Sequence, residues 1–217
     1  MIYNIYKPVG WTSFDIVKKV RSITKEKKVG HGGTLDPFAE GVLIIGTGKE
    51  TKMLSKVSDE QKSYQAIIQL GSETDTFDNE GKIIKESPIP LNTENQIKRE
   101  IKKFLGEYFH KPPMYSAKKI NGVPLYKLAR QNIEVDRKEI KSTIFDITLN
   151  DFSADLINFS VTCSKGTYVR VLGSDIARKL GTVGHLIKLI RTSVGSHQVS
   201  NSLSVENFED QWKYLKK

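Results

Sequence analysis

The chain has 217 residues, which is long enough for one large domain with its own hydrophobic core, and it carries a formal net charge of +9. One cysteine excludes an intrachain disulfide, and that cysteine with four scattered histidines offers no spacing for a metal site. No apolar stretch approaches the roughly 18 residues of a membrane span and no secretory signal opens the chain, so we expect a cytoplasmic protein without a membrane partner. We also expect the protein to be a monomer.

The first predicted element is a helix with a basic stripe. Thr12 and Asp15 can form a capping box, and Ile16, Val20 and Ile23 follow at helical spacing. Another stripe of the same helix carries four basic residues, Lys18, Arg21, Lys25 and Lys28. Because the positive net charge favours a polyanionic partner such as nucleic acid, this stripe can rest on phosphates. A solvated face is the alternative that the residues leave open.

The next segment is a glycine-rich loop, in which residues 30–37 read GHGGTLDP. Its three glycines permit close approach to a ligand. Asp36 precedes a proline, which favours an extended backbone, and the apolar strand Val42–Ile45 follows shortly after. On these residues alone, a turn starter at Asp36 and an ordinary loop histidine at His31 are the commoner interpretations. Residues 46–49 (GTGK) lack the flanking residues of a phosphate-binding loop.

Strands and helices then alternate at irregular intervals. Tyr64–Leu70 is rich in β-forming residues. Thr93 and Gln96 can cap a helix whose apolar residues are Ile97, Ile101, Phe104 and Leu105. Residues 111–124 predict a long surface loop, a kind of segment in which ligand contacts tend to lie.

The C-terminal half contains a predicted hairpin and a predicted helix. Thr143–Leu149 and Leu156–Cys163 alternate as strands around a polar turn. Leu172–Leu180 predicts a helix that ends at the following glycine, and the apolar segment Val183–Ile190 comes directly after it. Because strict βαβ alternation is missing, the pattern predicts an α+β fold with a mixed, largely antiparallel sheet flanked by helices and loops.

An arginine lies between the hairpin and this helix. Residues 164–170 (SKGTYVR) leave the second strand through a glycine-containing turn and place Arg170 ahead of the helix. A guanidinium can pair bidentately with a carboxylate, so Arg170 can hold a buried aspartate ionised. A surface arginine near a helix start is the alternative. Tyr64 is by default one more core aromatic residue in a strand.

Seven segments match the motifs of one family in the same order along nearly the whole chain. They are KPVGWTS at 7–13, the glycine-rich loop and strand at 30–43, KSY at 62–64, TDTFD at 74–78, PPMYSAK at 112–118, a Gly-Leu-Tyr-Ala-Arg pattern within 122–130, and residues 163–170. The chain therefore resembles the TruB family of tRNA pseudouridine-55 synthases. The resemblance implies the pseudouridine synthase fold.

The resemblance also implies an activity and a set of catalytic residues. The expected enzyme isomerises uridine 55 in the tRNA T loop to pseudouridine, without a cofactor or a metal. Asp36 matches the covalent nucleophile, Arg170 the arginine that pairs with it, and Tyr64 the tyrosine that stacks on the uracil and takes part in removal of the C5 proton. Attack on C6, attack on C1′ and a glycal route are all open for Asp36.

Further residues are assigned to RNA binding by the same resemblance. The substrate uridine must be flipped out of the T loop, and His31 would occupy the vacated space. Tyr168 and Leu189 would wall the base pocket. The lysines expected to contact RNA, whose stem would be read by its A-form shape, are Lys7, Lys118 and Lys165.

The chain departs from the family pattern at a few positions. Phe38, Glu40 and Gly32 replace residues that are common in the family. Family members usually continue into a PUA-like C-terminal domain, which we expect to be absent, so that residues 1–217 form one catalytic domain. A non-catalytic RNA-binding protein and a guide-directed synthase are the alternative functions, and the intact set Asp36, Tyr64 and Arg170 argues against the first.

Overall fold

The computed structural model describes residues 1–215. The chain divides into two compact units: the first contains residues 1–65 and the described residues from 189 onward, and the second contains residues 66–188. The interpretation of the chain as one catalytic domain stays a prediction. Within the described residues, no helix is long and apolar enough to cross a membrane.

The described residues form strands and helices at irregular intervals, as the sequence predicts. The strands are β1 (Ile2–Lys7), β2 (Val29–His31), β3 (Glu40–Thr47), β4 (Lys62–Leu70), β5 (Ser72–Thr74), β6 (Ile83–Glu86), β7 (Gly106–His110), β8 (Lys119–Ile120), β9 (Val123–Pro124), β10 (Ile140–Phe152), β11 (Leu156–Cys163), β12 (Gly184–Val194) and β13 (His197–Gln198). The α-helices are α1 (Ser13–Thr24), α2 (Leu54–Asp59), α3 (Glu94–Lys102), α4 (Leu125–Ala129), α5 (Val169–Lys179) and α6 (Val205–Leu215).

The first unit is organised around β3. This strand pairs antiparallel with β1 and β2 and parallel with β12, where Arg191 lies opposite Gly41. Alternate residues of β3 pack against α1 and α6 on one face and against α2 on the other. Burial on both faces explains why Val42–Ile45 is an unbroken apolar run.

The second unit contains the hairpin formed by β10 and β11. These strands pair antiparallel, and β7 pairs antiparallel with β10. The side chains of β11 alternate, and its buried residues are Ile157, Phe159, Val161 and Cys163. The helices α3 and α5 contact each other, and α3 also contacts β10.

The structure confirms the α+β class and several local predictions. The sheet is mixed, with β3 and β12 parallel and the other described registers antiparallel. The capping boxes of α1 (Thr12 with Asp15) and α3 (Thr93 with Gln96) are both present. Each of these local features depends on residues a few positions apart, which is why the sequence predicts them.

The prediction of one continuous basic stripe on the first helix is wrong. The helix α1 ends at Thr24, and Lys25 has a left-handed backbone with φ of 59°. Lys18 and Arg21 lie on the helix, whereas Lys25 and Lys28 lie beyond its end. Glycine usually supplies the left-handed residue at the end of a helix. Because a lysine takes this conformation here, the sequence does not indicate where the helix ends.

Two other segments also differ from the predictions. The helix α3 ends at Lys102, so Phe104 and Leu105 follow it, and Leu105 is exposed. The segment 111–124, predicted as a surface loop, buries its two prolines at 112 and 113 and contains the short β8–β9 pair. Tertiary packing orders a segment that looked irregular in sequence.

Candidate active site

Asp36 lies in the loop between β2 and β3, in the first unit. The residue is half-buried, and its carbonyl oxygen accepts a hydrogen bond from the amide of Ala39 at 3.2 Å. This bond closes a turn, so Asp36 is a turn starter as well as the candidate nucleophile. The two interpretations of the Asp-Pro sequence are therefore compatible.

Arg191, on β12, fixes the part of the loop that precedes Asp36. This arginine is 1% exposed, and its guanidinium donates to the carbonyl oxygens of Gly33 at 3.3 Å, Thr34 at 3.2 Å and Val42 at 2.7 Å. Hydrogen bonds to carbonyl oxygens compensate the burial of a charge. The sequence analysis missed Arg191, because its partners lie 149 to 158 residues away in the chain.

Lys7, at the end of β1, fixes the part of the loop that follows Asp36. It is 0% exposed, and its ammonium donates to the carbonyl oxygens of Pro8 at 2.9 Å, Trp11 at 2.6 Å and Pro37 at 3.3 Å. This burial corrects the expectation that Lys7 contacts RNA, because a phosphate cannot reach an ammonium enclosed by carbonyl oxygens. Lys7 instead supports the loop.

Ser13 completes the support of the loop. Its hydroxyl donates to the carbonyl oxygen of Leu35 at 3.0 Å and accepts from the amide of Leu35 at 2.9 Å. The amide of Gly10 also donates to the carbonyl oxygen of Pro37 at 2.8 Å. The backbone on both sides of Asp36 is thus held by buried or local hydrogen bonds, which restricts the directions in which the carboxylate can point.

His31 lies at the end of β2, in the same unit as Asp36, and is half-buried. Burial lowers the pKa of His31 below the ordinary value of 6.5, and the positive charge of Arg191 lowers the pKa further. A backbone hydrogen bond with Gly33 opposes part of this shift. His31 is therefore an uncharged imidazole at neutral pH.

Glu40 was noted as a departure from the family pattern, and the structure gives its carboxylate a partner. The hydroxyl of Tyr6 donates to Glu40 Oε2 at 2.7 Å. Partial burial raises the pKa of Tyr6 to about 12, with a further contribution from this hydrogen bond. Tyr6 therefore remains a hydrogen-bond donor to Glu40 throughout the ordinary pH range.

Arg170 lies in the first turn of α5, in the second unit. It is 4% exposed, so the interpretation as a surface arginine is wrong. The guanidinium forms an ion pair with Asp78, with Nη1 at 3.1 Å from Oδ2, and donates to the carbonyl oxygens of Thr76 at 2.7 Å and Tyr115 at 2.8 Å. The structure thus assigns Arg170 a carboxylate partner within its own unit.

A strained turn brings two of these partners together. Phe77, between Thr76 and Asp78, has a left-handed backbone with φ of 60°, which is unfavourable for a bulky residue. The Asp78 carboxylate also accepts hydrogen bonds from the Thr76 hydroxyl at 2.5 Å and from the Glu80 amide at 3.0 Å. These bonds hold the turn in the conformation that presents both Thr76 and Asp78 to Arg170.

Tyr168 precedes the first residue of α5 and contacts the buried His110. The amide of Tyr168 donates to Nε2 of His110 at 3.4 Å, and the two rings lie 5.9 Å apart. His110 also stacks on Tyr108 with a centroid distance of 4.4 Å, and the Tyr108 hydroxyl donates to Asp175 at 2.6 Å. The sequence analysis missed this chain of contacts, because His110 lies 58 residues before Tyr168.

The remaining predicted site residues divide between the units. Tyr64, half-buried on β4, and Leu189, buried on β12, belong to the first unit with Asp36. Lys118 and Lys165 are exposed and belong to the second unit with Arg170. The pairing of Asp36 with Arg170 and the catalytic roles of the individual side chains stay predictions.

Comparison with known proteins places the chain in a family. Residues 21–169 match the family described as TruB family pseudouridylate synthase, N terminal domain. The chain is 47% identical over 210 residues to the tRNA pseudouridine synthase B of Clostridium acetobutylicum, an alignment that covers 97% of this chain and 72% of the relative. It is 44% identical over 208 residues to the tRNA pseudouridine synthase B of Dehalococcoides mccartyi, covering 96% of this chain and 69% of the relative.

The fold is also similar to that of a solved complex. The whole chain aligns with 55% of a chain in a crystal structure of a Cbf5-Nop10-Gar1 complex, with a TM-score of 0.78 and 25% sequence identity. This chain therefore spans about half the length of that neighbour and about seven tenths of the curated relatives. From the match to most of its length, we conclude that the chain belongs to the TruB family of pseudouridine synthases.

Proposed function

We propose that this enzyme converts uridine 55 in the T loop of tRNA to pseudouridine, with Asp36 as the covalent nucleophile and without a cofactor. The observation that carries the proposal is the fixed backbone around Asp36. Lys7, Ser13 and Arg191 hold the residues on both sides of the carboxylate. The relatives named tRNA pseudouridine synthase B supply the substrate class.

The chemistry suits a carboxylate that is fixed before the substrate arrives. The N1–C1′ glycosidic bond breaks, and the uracil turns and rejoins C1′ through C5. C5 loses a proton and N1 gains one, so the product is an isomer of the substrate and no electron acceptor is required. A covalent bond to Asp36 divides this rearrangement into two easier steps. A nucleophile held in position avoids the entropy cost of finding the reacting carbon.

We assign supporting roles to residues in both units. Arg170 aims the Asp36 carboxylate, and Asp78 and the Thr76 carbonyl orient Arg170 in turn. Tyr64 stacks on the uracil and takes part in proton removal from C5. His31, which is uncharged at neutral pH, fills the space that the flipped uridine leaves. Tyr168 and Leu189 line the pocket for the flipped base.

The proposed substrate is the T stem-loop of tRNA, with the uridine flipped out at a cost of a few kcal/mol in lost stacking. Exposed basic residues outside the active-site loop supply the phosphate contacts, namely Lys18, Arg21, Lys118 and Lys165. Such contacts read the A-form stem by its shape and not by its sequence. A T-arm minihelix therefore suffices as substrate.

The test is replacement of the nucleophile. Asp36→Asn keeps the size of the side chain and removes its nucleophilic charge, so pseudouridine formation in unmodified tRNA is abolished while tRNA affinity stays within several-fold. Asp210→Asn, at an exposed position on α6 in the same unit, is the matched control and retains wild-type turnover. Mass-spectrometric mapping of pseudouridine in the treated tRNA measures the outcome.

The same assay separates the proposal from its alternatives. Turnover by Asp36→Asn would overturn the assignment of the nucleophile. A product at any position other than 55 would overturn the assignment of the T loop. Failure of the wild-type protein to modify tRNA unless a guide RNA is added would favour a guide-directed synthase.

A further inference from the structure

Two exposed aromatic side chains flank the segment that supports the Asp36 loop. Trp11 is 36% exposed and Phe14 is 53% exposed. They lie three residues apart, on either side of the start of α1. We call Trp11 and Phe14 the aromatic platform, and the core of the first unit, to which α1 contributes Ile16, Val17 and Val20, includes neither of them.

The aromatic platform is attached to the loop that carries Asp36. The Lys7 ammonium contacts the carbonyl oxygens of both Trp11 and Pro37, and the hydroxyl of Ser13 bonds both the amide and the carbonyl of Leu35. The main chain at Trp11 and the main chain beside Asp36 therefore share one buried cation. The platform is an extension of the same rigid structure that positions the nucleophile.

The charge around the aromatic platform fits an anionic ligand with flat apolar groups. The Lys18 ammonium lies 5.0 Å from the centre of the Phe14 ring. Residues 8–28, which exclude the buried Lys7, contain six basic and two acidic residues. One of the two acidic residues, Asp15, takes part in the capping box and forms an ion pair with Lys18. Aromatic faces interleaved with cations are the surface on which single-stranded nucleic acids stack their bases.

We infer that Trp11 and Phe14 stack on an unpaired base of the RNA next to the uridine that Asp36 attacks. The inference rests on the proposed function and names an additional contact in the same complex. A flipped uridine leaves its loop neighbours unstacked, and aromatic rings on the segment that supports the Asp36 loop restore part of the lost stacking. Because every base has a π face, this contact tolerates changes in the identity of the stacked base.

Tryptophan fluorescence gives a direct test, because the chain has two tryptophans. Trp212 lies on α6, is partly buried, and packs against Tyr3 and against Phe208 of the core of the first unit. In Trp212→Phe, addition of a T-arm RNA quenches the emission of Trp11, since stacking on a base quenches an indole. In the reciprocal variant Trp11→Phe, the same RNA leaves the emission of Trp212 unchanged.

Steady-state kinetics supply the second test. Trp11→Ala and Phe14→Ala each raise KM for the T-arm RNA by about tenfold and leave kcat within about threefold, and Trp11→Phe restores most of the affinity. Phe145→Ala, which removes another exposed aromatic ring in the second unit, is the matched control and keeps the wild-type KM.

The outcomes separate this inference from the proposed function. If the wild-type protein modifies the T-arm RNA but Trp11 shows no quenching and the alanine variants keep their KM, the platform inference is overturned and the function stands. If the wild-type protein neither binds nor modifies the RNA, the proposed function fails. Quenching of Trp11 by an unrelated protein partner, without quenching by RNA, would identify the platform as a protein-docking surface and overturn the inference.

Discussion

Three buried cations, Lys7, Arg170 and Arg191, hold backbone segments within their own units. Charged side chains are seldom fully buried unless they are paired, and each of these donates to several main-chain carbonyl oxygens. Arg170 adds a carboxylate partner, Asp78. Removing the partner of a buried cation strongly lowers the free energy of unfolding. Substitutions of the partner residues should therefore destabilise the fold.

Asp78→Ala should lower the free energy of unfolding by about 3 kcal/mol, because it leaves the Arg170 guanidinium buried without its counter-charge. Denaturant unfolding measures the change, with Asp210→Ala as the control. Asp210 pairs with Lys213 at an exposed position, where an ion pair contributes less than about 1 kcal/mol. Equal effects of the two substitutions would contradict the buried ion pair.

His31 should make stability depend on pH in a defined direction. Because the pKa of His31 is lowered in the folded protein, the unfolded chain binds more protons below its ordinary pKa of 6.5. The free energy of unfolding therefore falls as the pH drops from 6.5 towards the folded pKa and is unaffected by this group above 6.5. Unfolding curves at pH 7.5 and 5.5 should show a smaller loss in His31→Gln than in the wild type, and an unchanged loss would contradict the shift.

The residues that support the candidate site were harder to predict than the candidate catalytic residues. Asp36 and Arg170 stand in motifs that can be recognised in the sequence. Arg191 and the buried state of Lys7 follow from long-range packing, and nothing in the local sequence distinguishes Lys7 from a surface lysine. When distant segments of the chain bury a side chain, the neighbouring residues in the sequence show no pattern that predicts the burial.

Among the elements, the parallel pair β3–β12 imposes a strict steric requirement for glycine at position 41. Gly41 has φ of 110°, and a Cβ there would lie 2.3 Å from the carbonyl oxygen of Arg191. Gly41→Ala should therefore cost several kcal/mol of unfolding free energy, from a backbone clash added to the strain at positive φ. Gly106→Ala, also at positive φ but with open space around its Cβ position, should cost only about 1 kcal/mol. Thermal unfolding of both variants checks the difference, and equal costs would refute the clash.

Some features of the helices and strands depend only on residues that are close in sequence. The capping boxes of α1 and α3 and the hairpin β10–β11 were predicted, because each depends on neighbouring residues or on strict alternation. The end of α1 was missed, since Lys25 takes a left-handed conformation that glycine normally supplies. The short β8–β9 pair was missed because two-residue strands carry no periodicity.

For the whole molecule, the net charge of +9 predicts a binding equilibrium that depends on salt. The logarithm of the affinity for tRNA should fall linearly with the logarithm of the salt concentration, by roughly 0.7 to 0.9 for each phosphate contacted. Fluorescence anisotropy with labelled T-arm RNA measures the slope, and Lys118→Ala should reduce its magnitude by about 0.7 to 0.9 if that lysine touches a phosphate. A salt-independent affinity would contradict phosphate contacts.

The single cysteine makes it possible to measure local opening of the second unit by thiol labelling. Cys163 is buried at the end of β11, and no other thiol in the chain competes with it. A thiol reagent can modify the native protein only when this strand opens, so the labelling rate in the absence of denaturant reports how often the hairpin separates. The same chemistry, repeated with RNA bound, would measure how far substrate binding suppresses that opening, without any added probe.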